Sequence, residues 1–329
     1  MISKDSKLSK DIFSSDIEQK PTRDGFGLGT VEAGKSNPNV VVLCADLKES
    51  TRAEWFEKEF PDRFIEVGVA EQNLATAAAG LAAVGKRPFI ASYAAFSPGR
   101  NYEQIRTTIA LNGQPVVVCG MHAGVSVGPD GATHQMLEDI GLMRMLPGMT
   151  VIVPGDAEEA RKAVVYAASA DHPTYIRFGR SATPTFTAPE TPFVPGKAIS
   201  IWESSAPKVA LLSTGSLTYE AVLAARALAA DGIEVSALHV PFVKPLDEES
   251  ILSAAKKAGR VITIEEHQVA GGFGSAVAEY LSSAYPVPVT RLGMQDSFGQ
   301  SGEPAELISH YGLSAQGITS AVRQMLQVY

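Results

Sequence analysis

Short apolar runs alternate with segments of helical spacing along residues 40–178. Five runs are apolar and mostly β-branched: Val40–Cys44, Pro88–Ser92, Val116–Met121, Val151–Pro154 and Thr174–Phe178. Between them, Tyr102, Ile105 and Ile109 recur at i, i+3 and i+7, which predicts a helix over Asn101–Gly113. Continuous apolar strands joined by helices are typical of a parallel sheet that is covered on both faces. The pattern therefore predicts an α/β domain.

A second alternating series begins at about residue 199 and predicts a smaller α/β domain. Its expected strands are Val209–Leu212, Ile233–Val240, Arg260–Glu265 and Pro288–Leu292. Its expected helices are Leu217–Ala230, Glu248–Ala258, Phe273–Ala284, Glu303–Tyr311 and Ala315–Gln327. Residues 183–198 are rich in proline and show no periodicity, which is typical of a linker. We therefore expect a polar arm over residues 1–20, a first domain over 21–182 and a second over 199–329.

Composition and charge exclude several classes of protein. The chain has 36 acidic and 28 basic residues, a net charge of −8, whereas nucleic-acid-binding proteins usually carry a basic patch. No apolar run approaches the roughly 20 residues that cross a bilayer, and the N-terminal residues are charged. Cys44 and Cys119 lie in apolar runs, as buried free thiols do. We expect a cytoplasmic protein with no nucleic-acid or membrane partner and no disulfide.

One acidic residue falls on a predicted apolar helix face. If a helix begins near Val67, then Glu71 shares its face with Val67, Leu74 and Ala78. Burial raises the pKa of a carboxyl, and a carboxyl that titrates near neutrality suits proton exchange with a neutral heterocyclic nitrogen. The alternative is a helix phase shifted by one residue, which would leave Glu71 in solvent.

A glycine-rich loop is expected to follow the strand at Val116–Met121. Residues 119–138, CGMHAGVSVGPDGATHQMLE, place His122, Asp130 and His134 beyond the carboxyl end of that strand, where such sheets bind ligands. These side chains could bind sugar hydroxyls or a phosphate, or they could be incidental loop residues. Their spacing matches no standard metal site, so we expect no metal ligands in this chain.

Three segments together resemble the C-terminal part of transketolase, a thiamine-diphosphate enzyme. Residues 70–73, AEQN, resemble the segment of the family's cofactor-activating glutamate. Residues 92–106, SYAAFSPGRNYEQIR, are similar to its aromatic cofactor-stacking segment, and residues 119–139 to its substrate loop. The resemblance begins near Pro21 and covers nearly the whole chain. It implies a parallel-sheet pyrimidine-binding domain followed by a smaller α/β C-terminal domain.

The resemblance also implies roles for cofactor-binding residues. Glu71 would share a proton with the ring nitrogen of the cofactor's pyrimidine, which activates the thiazolium carbon. Tyr93 and Phe96 match the aromatic positions that flank the pyrimidine. Asp46 matches an acidic residue near the thiazolium. An extra residue between Phe96 and Tyr102 leaves the alignment around Arg100 open.

Six residues match positions that contact the substrate. Those matching the positions that bind its terminal phosphate are Arg23, Ser50, His134 and Arg180. A phosphate dianion needs several donors at once, which fits cations drawn from separate loops. His122 and Asp130 match positions that contact sugar hydroxyls near the reacting carbons. The residues implied to act in catalysis are Glu71, His122 and His134.

The sequence lacks the part of transketolase that binds the diphosphate. The family holds Mg²⁺ or Ca²⁺ through a glycine-aspartate-glycine motif and a downstream asparagine in an N-terminal domain, and no such motif occurs here. The resemblance therefore implies a split transketolase: this chain as the C-terminal subunit and a separate N-terminal subunit that holds the metal. Two of each would form a heterotetramer around a dimer of this chain, acting on sugar phosphates in the pentose phosphate pathway.

Two other classes of function remain open at this stage. The chain could be the β-type subunit of another thiamine enzyme, a 2-oxoacid dehydrogenase or 1-deoxyxylulose-5-phosphate synthase. Against the first, the AEQN and DGATHQ segments depart from the expected pattern; against the second, His122 follows the transketolase pattern. The chain could also be a non-catalytic scaffold, although a scaffold has no use for a buried Glu71.

Overall fold

The apolar strands of the first half form the centre of a seven-stranded sheet in the computed structural model, which describes residues 1–328. The strands are β2 (Val40–Cys44), β3 (Phe64–Glu66), β4 (Arg87–Tyr93), β5 (Val117–Met121), β6 (Thr150–Ile152), β7 (Thr174–Arg177) and β12 (Phe242–Lys244). They lie in the order β12-β6-β7-β5-β4-β2-β3, and all neighbours are parallel except β12 and β6. The five strands expected in this half are all present, with ends shifted by no more than two residues.

Helices cover both faces of this sheet. They are α1 (Thr22–Ser36), α2 (Lys48–Thr51), α3 (Ala53–Glu59), α4 (Glu71–Ala83), α5 (Tyr102–Gln104), α6 (Asp139–Arg144) and α7 (Ala157–Ala167). A π-helical segment over Ile105–Ala110 continues α5, and it buries Ile105 and Ile109 as their spacing predicts. Short 3-10 turns lie at Pro61–Arg63 and Val125–Asp130.

The helix that carries Glu71 begins later than the sequence suggests. We expected its start near Val67, but Gly68 adopts a left-handed φ of 70° and the helix begins at Glu71. The predicted face is nevertheless correct, because Glu71, Leu74 and Ala78 are buried. Glu71 therefore lies in the first turn of α4, with its side chain on the apolar side.

The second series of elements forms a five-stranded sheet with the order β14-β13-β10-β11-β9. Its strands are β9 (Ile199–Trp202), β10 (Val209–Ser213), β11 (Val235–His239), β13 (Val261–Gln268) and β14 (Val289–Met294). Its helices are α8 (Leu217–Ala230), α9 (Glu248–Ala258), α10 (Phe273–Ala284), α11 (Pro304–His310) and α12 (Ala315–Val328). All neighbours are parallel except β9, which pairs antiparallel with β11. The predicted α/β class is confirmed for both parts of the chain.

Three segments cross between the two parts of the chain. The arm over residues 1–20 buries Ile12 and Ile17 in the core of the second sheet, and its β1 (Gln19–Lys20) pairs with β8 (Thr183–Pro184). The proline-rich segment after β8 buries Phe186 in the same core. β12, which follows β11, joins the first sheet. The arm, expected to be polar, thus buries apolar side chains against the second sheet.

Two further sequence-based expectations concern the cysteines and the membrane. Cys44 and Cys119 are both buried free thiols, as predicted. Among the described residues, no helix is both long and apolar enough to span a lipid bilayer.

Candidate active site

The candidate site lies at the carboxyl ends of the parallel strands in the first sheet. Its residues follow β2, β3, β4, β5 and β7, and the chain reverses its direction across the sheet at β2, which has β3 on one side and β4 on the other. Ligands of open α/β sheets bind at such a reversal, outside the carboxyl ends of the strands. Loops distant in sequence therefore meet here.

Glu71 is a buried carboxylate with one charged partner. Its side chain is 2% exposed, and Arg100 Nη1 donates to its Oε2 at 2.7 Å. Asn101 Nδ2 donates to the Glu71 carbonyl oxygen at 2.8 Å, which ties the start of α4 to the aromatic segment after β4. The Arg100 side chain is half-exposed, so the ion pair lies at the border between the protein interior and solvent.

Aromatic rings form a continuous platform next to this ion pair. The Arg100 guanidinium lies over the Phe96 ring, 4.8 Å from its centroid. Phe96 and Tyr93 are nearly parallel at 6.0 Å, and Tyr93 stacks on the His122 imidazole at 4.2 Å. His134 meets the Phe96 ring edge-on at 5.6 Å. The Phe96 ring thus lies beside the buried Glu71 carboxylate, under the half-exposed Arg100 guanidinium, and an aromatic face beside a carboxylate can hold a planar heterocycle that carries a proton.

Positive charge collects at the other end of the platform. Arg23 Nη1 donates to the Ser50 carbonyl oxygen at 2.7 Å, and Ser50 Oγ lies 2.7 Å from the Tyr93 hydroxyl. Burial lowers the pKa of the Arg23 guanidinium, and the charges of Arg52 and Arg180 lower it further. Half-buried cations that repel one another are stabilised by an anionic ligand, so this group is suited to bind one.

His122 is held neutral in this cationic group. Arg23 Nη1 lies 3.0 Å from His122 Nε2, and because a guanidinium only donates, Nε2 accepts and Nδ1 carries the proton. Burial, with the charges of Arg23 and Arg180, lowers the pKa of His122 to about 3. The Nδ1 atom is buried and has no hydrogen-bond partner among the described residues. His122 therefore presents one unused donor.

The structure places the remaining candidates at the rim. Arg180 Nη1 donates to the Val127 carbonyl oxygen at 2.8 Å, so the side chain leans on the loop after β5. Asp130 is exposed at the end of the 3-10 turn in that loop. Asp46 is exposed just after β2, at a left-handed φ of 59°. Its backbone amide donates to Glu66 Oε1 at 2.8 Å.

Two residues of the site were not identified from the sequence. The sequence does not assign Arg100, because of the extra residue in its segment, although Arg100 is the ion-pair partner of Glu71. Glu66 at the end of β3 accepts the amides of Asp46 and Gly68 and so joins the loops that follow β2 and β3. The Arg100 contact depends on the fold of the segment, whereas Glu66 is recognisable from the sequence as an acidic residue at the end of a strand.

These residues fit one half of thiamine diphosphate. The buried carboxylate and the aromatic platform match the needs of an aminopyrimidine, which has a flat ring and a basic nitrogen. Within residues 1–328, no group of three or more His, Cys, Asp or Glu side chains is arranged to hold a metal ion. This chain therefore has residues that fit the pyrimidine half of the cofactor. The described residues include no metal site that could bind its diphosphate half.

Comparisons with known proteins identify two domains in the chain. Residues 18–185 match the transketolase pyrimidine-binding domain, and residues 199–318 match the transketolase C-terminal domain. The chain is 38% identical over 311 residues to a putative transketolase C-terminal section of Methanocaldococcus jannaschii, covering 94% of this chain and 97% of that one. It is 38% identical over 315 residues to a 6-deoxy-6-sulfo-D-fructose transketolase subunit of a Clostridium species, covering 96% and 97%.

A solved structure is similar over the same length. It is described as a split-gene transketolase, an inactive β4 tetramer, and it is 43% identical with a TM-score of 0.87, covering 94% of this chain and 99% of that one. The fold and the site thus define a pair of domains from a thiamine-dependent enzyme. The chain belongs to the transketolase family, with the pyrimidine-binding domain followed by the C-terminal domain, and membership implies dependence on thiamine diphosphate.

Proposed function

We propose that this chain is the C-terminal subunit of a split transketolase, which moves a two-carbon ketol unit from a ketose phosphate to an aldose phosphate. The observation that carries the proposal is the buried Glu71 carboxylate beside the Phe96–Tyr93 platform. A separate N-terminal subunit would hold the diphosphate through Mg²⁺ or Ca²⁺. Two relatives that match along almost their whole length are themselves named as a section and a subunit of transketolases, which supports this split.

Glu71 has the role of holding a proton for the cofactor. Thiamine diphosphate, when bound, supplies the thiazolium carbon at which the carbon–carbon bond is broken and made. Glu71 would bind the pyrimidine ring nitrogen through its carboxylate and share a proton with it. Phe96 and Tyr93 would hold the ring flat and keep water away from the carboxylate. Asp46 is proposed to lie on the thiazolium side.

The cationic group is proposed to bind the terminal phosphate of the sugar. Arg23, Arg180 and Ser50 keep the role that the resemblance implies. The geometry favours His122 as their fourth member, because it contacts Arg23 directly and offers its Nδ1 proton. His134 hydrogen-bonds Thr133 and meets the Tyr93 and Phe96 rings edge-on, so we assign it, with Asp130, to the hydroxyls near the reacting carbons. This exchanges the roles of the two histidines relative to the family resemblance.

The test is reconstitution with defined donors. The purified chain is mixed with its N-terminal subunit, thiamine diphosphate and Mg²⁺, and transfer from xylulose 5-phosphate to ribose 5-phosphate is measured. We expect turnover by the mixture and none by either subunit alone. Turnover by this chain alone would contradict the split site. Faster reaction with pyruvate than with the ketose phosphate would favour another thiamine enzyme, and no turnover by a verified complex would favour a scaffold.

A further inference from the structure

The loop over residues 122–137 is held by the C-terminal domain as well as by its own domain. We call it the β5–α6 loop; it contains His122, Asp130 and His134. It approaches the carboxyl end of β13 in the second sheet, where Glu266 and Gln268 lie. It also meets the segment between β14 and α11. Its contacts with the C-terminal domain show that the loop is not shaped by the first domain alone.

Glu266 makes the central contact. This glutamate is 6% exposed, and its Oε1 accepts the backbone amide of Ser126 at 2.5 Å, across 140 residues of sequence. Gly124 lies against the same carboxylate at a φ of 92°; a Cβ there would lie 2.3 Å from Glu266 Oε1. A glycine is therefore required for the loop backbone to approach the carboxylate this closely. Loss of this hydrogen bond is costly, because both the amide and the carboxyl oxygen are buried and water cannot replace the missing partner.

Two further hydrogen bonds to the C-terminal domain, and one within the loop, fix the later part of the loop. The Gln135 side chain is buried, and its Nε2 donates to the Gln300 carbonyl oxygen at 3.0 Å and to the Val125 carbonyl oxygen at 3.0 Å. The amide of Gln268 donates to the Leu137 carbonyl oxygen at 2.9 Å. The C-terminal domain thus contacts the loop near Ser126, at Gln135 and at Leu137, on both sides of the segment that carries Asp130 and His134.

We propose that Glu266 and Gln135 are positioning residues, through which the C-terminal domain sets the geometry of the substrate-binding loop. The Val127 carbonyl oxygen, one residue after Ser126, accepts from Arg180, so displacement of the loop also releases a cation of the phosphate-binding group. This inference rests on the proposed function of the loop. It gives the second domain a part in substrate binding, in addition to any contacts it makes with other subunits.

Glu265 provides a matched control on the same strand. It too is buried, and it accepts two backbone amides, those of Phe273 and Gly274 at 2.6 and 2.7 Å. These amides belong to α10 in its own domain, so removal of Glu265 damages the C-terminal domain without touching the β5–α6 loop. Glu266→Ala and Glu265→Ala therefore each remove a buried carboxyl group, but only the first of these groups is hydrogen-bonded to the β5–α6 loop.

Amide hydrogen exchange of the isolated chain is the first test. We expect Glu266→Ala to speed exchange in residues 123–135 at least tenfold, Glu266→Gln to stay near wild type because it keeps an acceptor, and Gln135→Ala to speed the same segment. Glu265→Ala should speed exchange around residues 272–276 and leave the loop unchanged. Wild-type loop exchange in Glu266→Ala and Gln135→Ala, or equal acceleration by Glu265→Ala, would overturn the proposal.

Kinetics of the assembled complex are the second test. Glu266→Ala and Gln135→Ala should raise KM for the ketose phosphate about tenfold or more, with unchanged affinity for thiamine diphosphate and a smaller change in kcat. Glu265→Ala should lower the thermal midpoint with little effect on KM. Unchanged KM in both loop variants would contradict the role in substrate binding. If the complex shows no transketolase turnover, the proposed function fails, while the exchange result still decides whether the domain holds the loop.

Discussion

A buried carboxylate is costly unless a partner or a proton neutralises it, and Glu71 has such a partner in Arg100. Arg100 donates to the Glu71 carboxylate at 2.7 Å, and its guanidinium also lies over the Phe96 ring. Arg100 therefore contacts both of the residues that are proposed to bind the pyrimidine. Because Arg100 is half-exposed, its guanidinium can reach solvent, and the buried Glu71 carboxylate then needs another partner, the role proposed above for the pyrimidine nitrogen. At the scale of single residues, the site combines a fixed carboxylate with a movable counter-ion.

The cationic group gives a prediction for substrate affinity. Arg23→Ala removes one charged donor to the proposed phosphate, and hydrogen bonds to charged groups contribute about 1.5–3 kcal/mol. We expect KM for a phosphorylated ketose to rise by roughly 10- to 150-fold, which is that energy range converted at about 1.4 kcal/mol per tenfold. Arg106→Ala, an exposed arginine on the π-helical segment, is the control and should leave KM unchanged. Equal KM values for wild type and Arg23→Ala would argue against the phosphate role.

His122 predicts a specific dependence of stability on pH. Its pKa is lowered from 6.5 to about 3, so the folded chain keeps it neutral while the unfolded chain takes up a proton below about pH 6.5. Unfolding is therefore favoured as the pH falls from about 6.5 towards 3, by up to about 1.4 kcal/mol per pH unit. The measurement is the free energy of unfolding of wild type and His122→Asn between pH 6.5 and 4.5.

The difference between the two curves isolates this histidine. Asp156, whose pKa is raised by burial to about 6, contributes with the opposite sign, since the folded chain binds its proton more tightly. That contribution is present in both proteins and cancels in the difference. Wild type should lose stability faster than the variant as the pH falls, and parallel curves would contradict the buried neutral histidine.

At the scale of elements, close helix packing supports the phosphate-binding loops. α1, which begins next to Arg23, packs along α7, and Gly25 lets the two backbones approach. A Cβ at Gly25 would lie 2.2 Å from the Ala157 carbonyl oxygen and 2.6 Å from the Ala160 Cβ. The position of Arg23 therefore depends on an interface that tolerates no added atom.

Gly25→Ala should accordingly destabilise the chain. Overpacking of a tight interface costs about 1–3 kcal/mol, and here the clash is with backbone. Gly80→Ala is the matched control, because it is an exposed glycine of α4 with no atom within 4 Å of the added Cβ. That variant should gain about 0.5–1 kcal/mol. Urea unfolding of both variants measures the contrast, and similar stabilities would contradict the packing account.

Elements with a strong pattern were predicted well from the sequence. The bounds of β2, α8, α9 and α10 are those expected from the sequence, because their apolar spacing and their end signals agree. β12 was missed, since three residues after a proline carry no pattern and its antiparallel pairing with β6 is decided by tertiary contact. The start of α4 was misplaced because Gly68 turns the chain just before it.

The sequence predicted which residues belong to the site better than it predicted the contacts between them. Sequence similarity indicated Glu71, Tyr93, Phe96 and the residues of the loops. It did not indicate that Arg100 pairs with Glu71, that His122 contacts Arg23, or that His134 meets the Phe96 ring edge-on. Such contacts form between segments that are far apart in sequence and come together at the edge of the sheet, and no local sequence pattern predicts them.

At the scale of the whole molecule, the two sheets are joined by crossing segments. The N-terminal arm packs Ile12 and Ile17 against the second core, the Tyr219 hydroxyl donates to the Ile12 carbonyl oxygen, and β12 returns to the first sheet. His239 of β11 lies 2.6 Å from Glu159 of α7, both buried. The core of the second sheet is therefore completed by residues that precede the first sheet, and the first sheet by a strand that lies between β11 and β13 in the chain.

Removal of the arm should affect the second sheet selectively. Deletion of residues 1–16 exposes apolar surface around β9 and α8 and removes the contacts of Ile12 with that core. We expect faster hydrogen exchange in Ile199–Trp202 and in Leu217–Ala230, and little change in β4 and β5. Uniform loss of protection in both sheets would show that the arm supports the molecule in another way.

In the proposed complex this chain supplies the carboxylate that activates thiamine, while another polypeptide holds the diphosphate. The direct test is the rate of ketol transfer by wild type alone and by three complexes with the N-terminal subunit. The complexes contain wild type, Glu71→Gln, or the control Glu103→Gln, which changes an exposed glutamate. We predict no turnover alone, full turnover in the wild-type and Glu103→Gln complexes, and a loss of at least about 10²-fold for Glu71→Gln. Full activity of the assembled Glu71→Gln complex would contradict the claim.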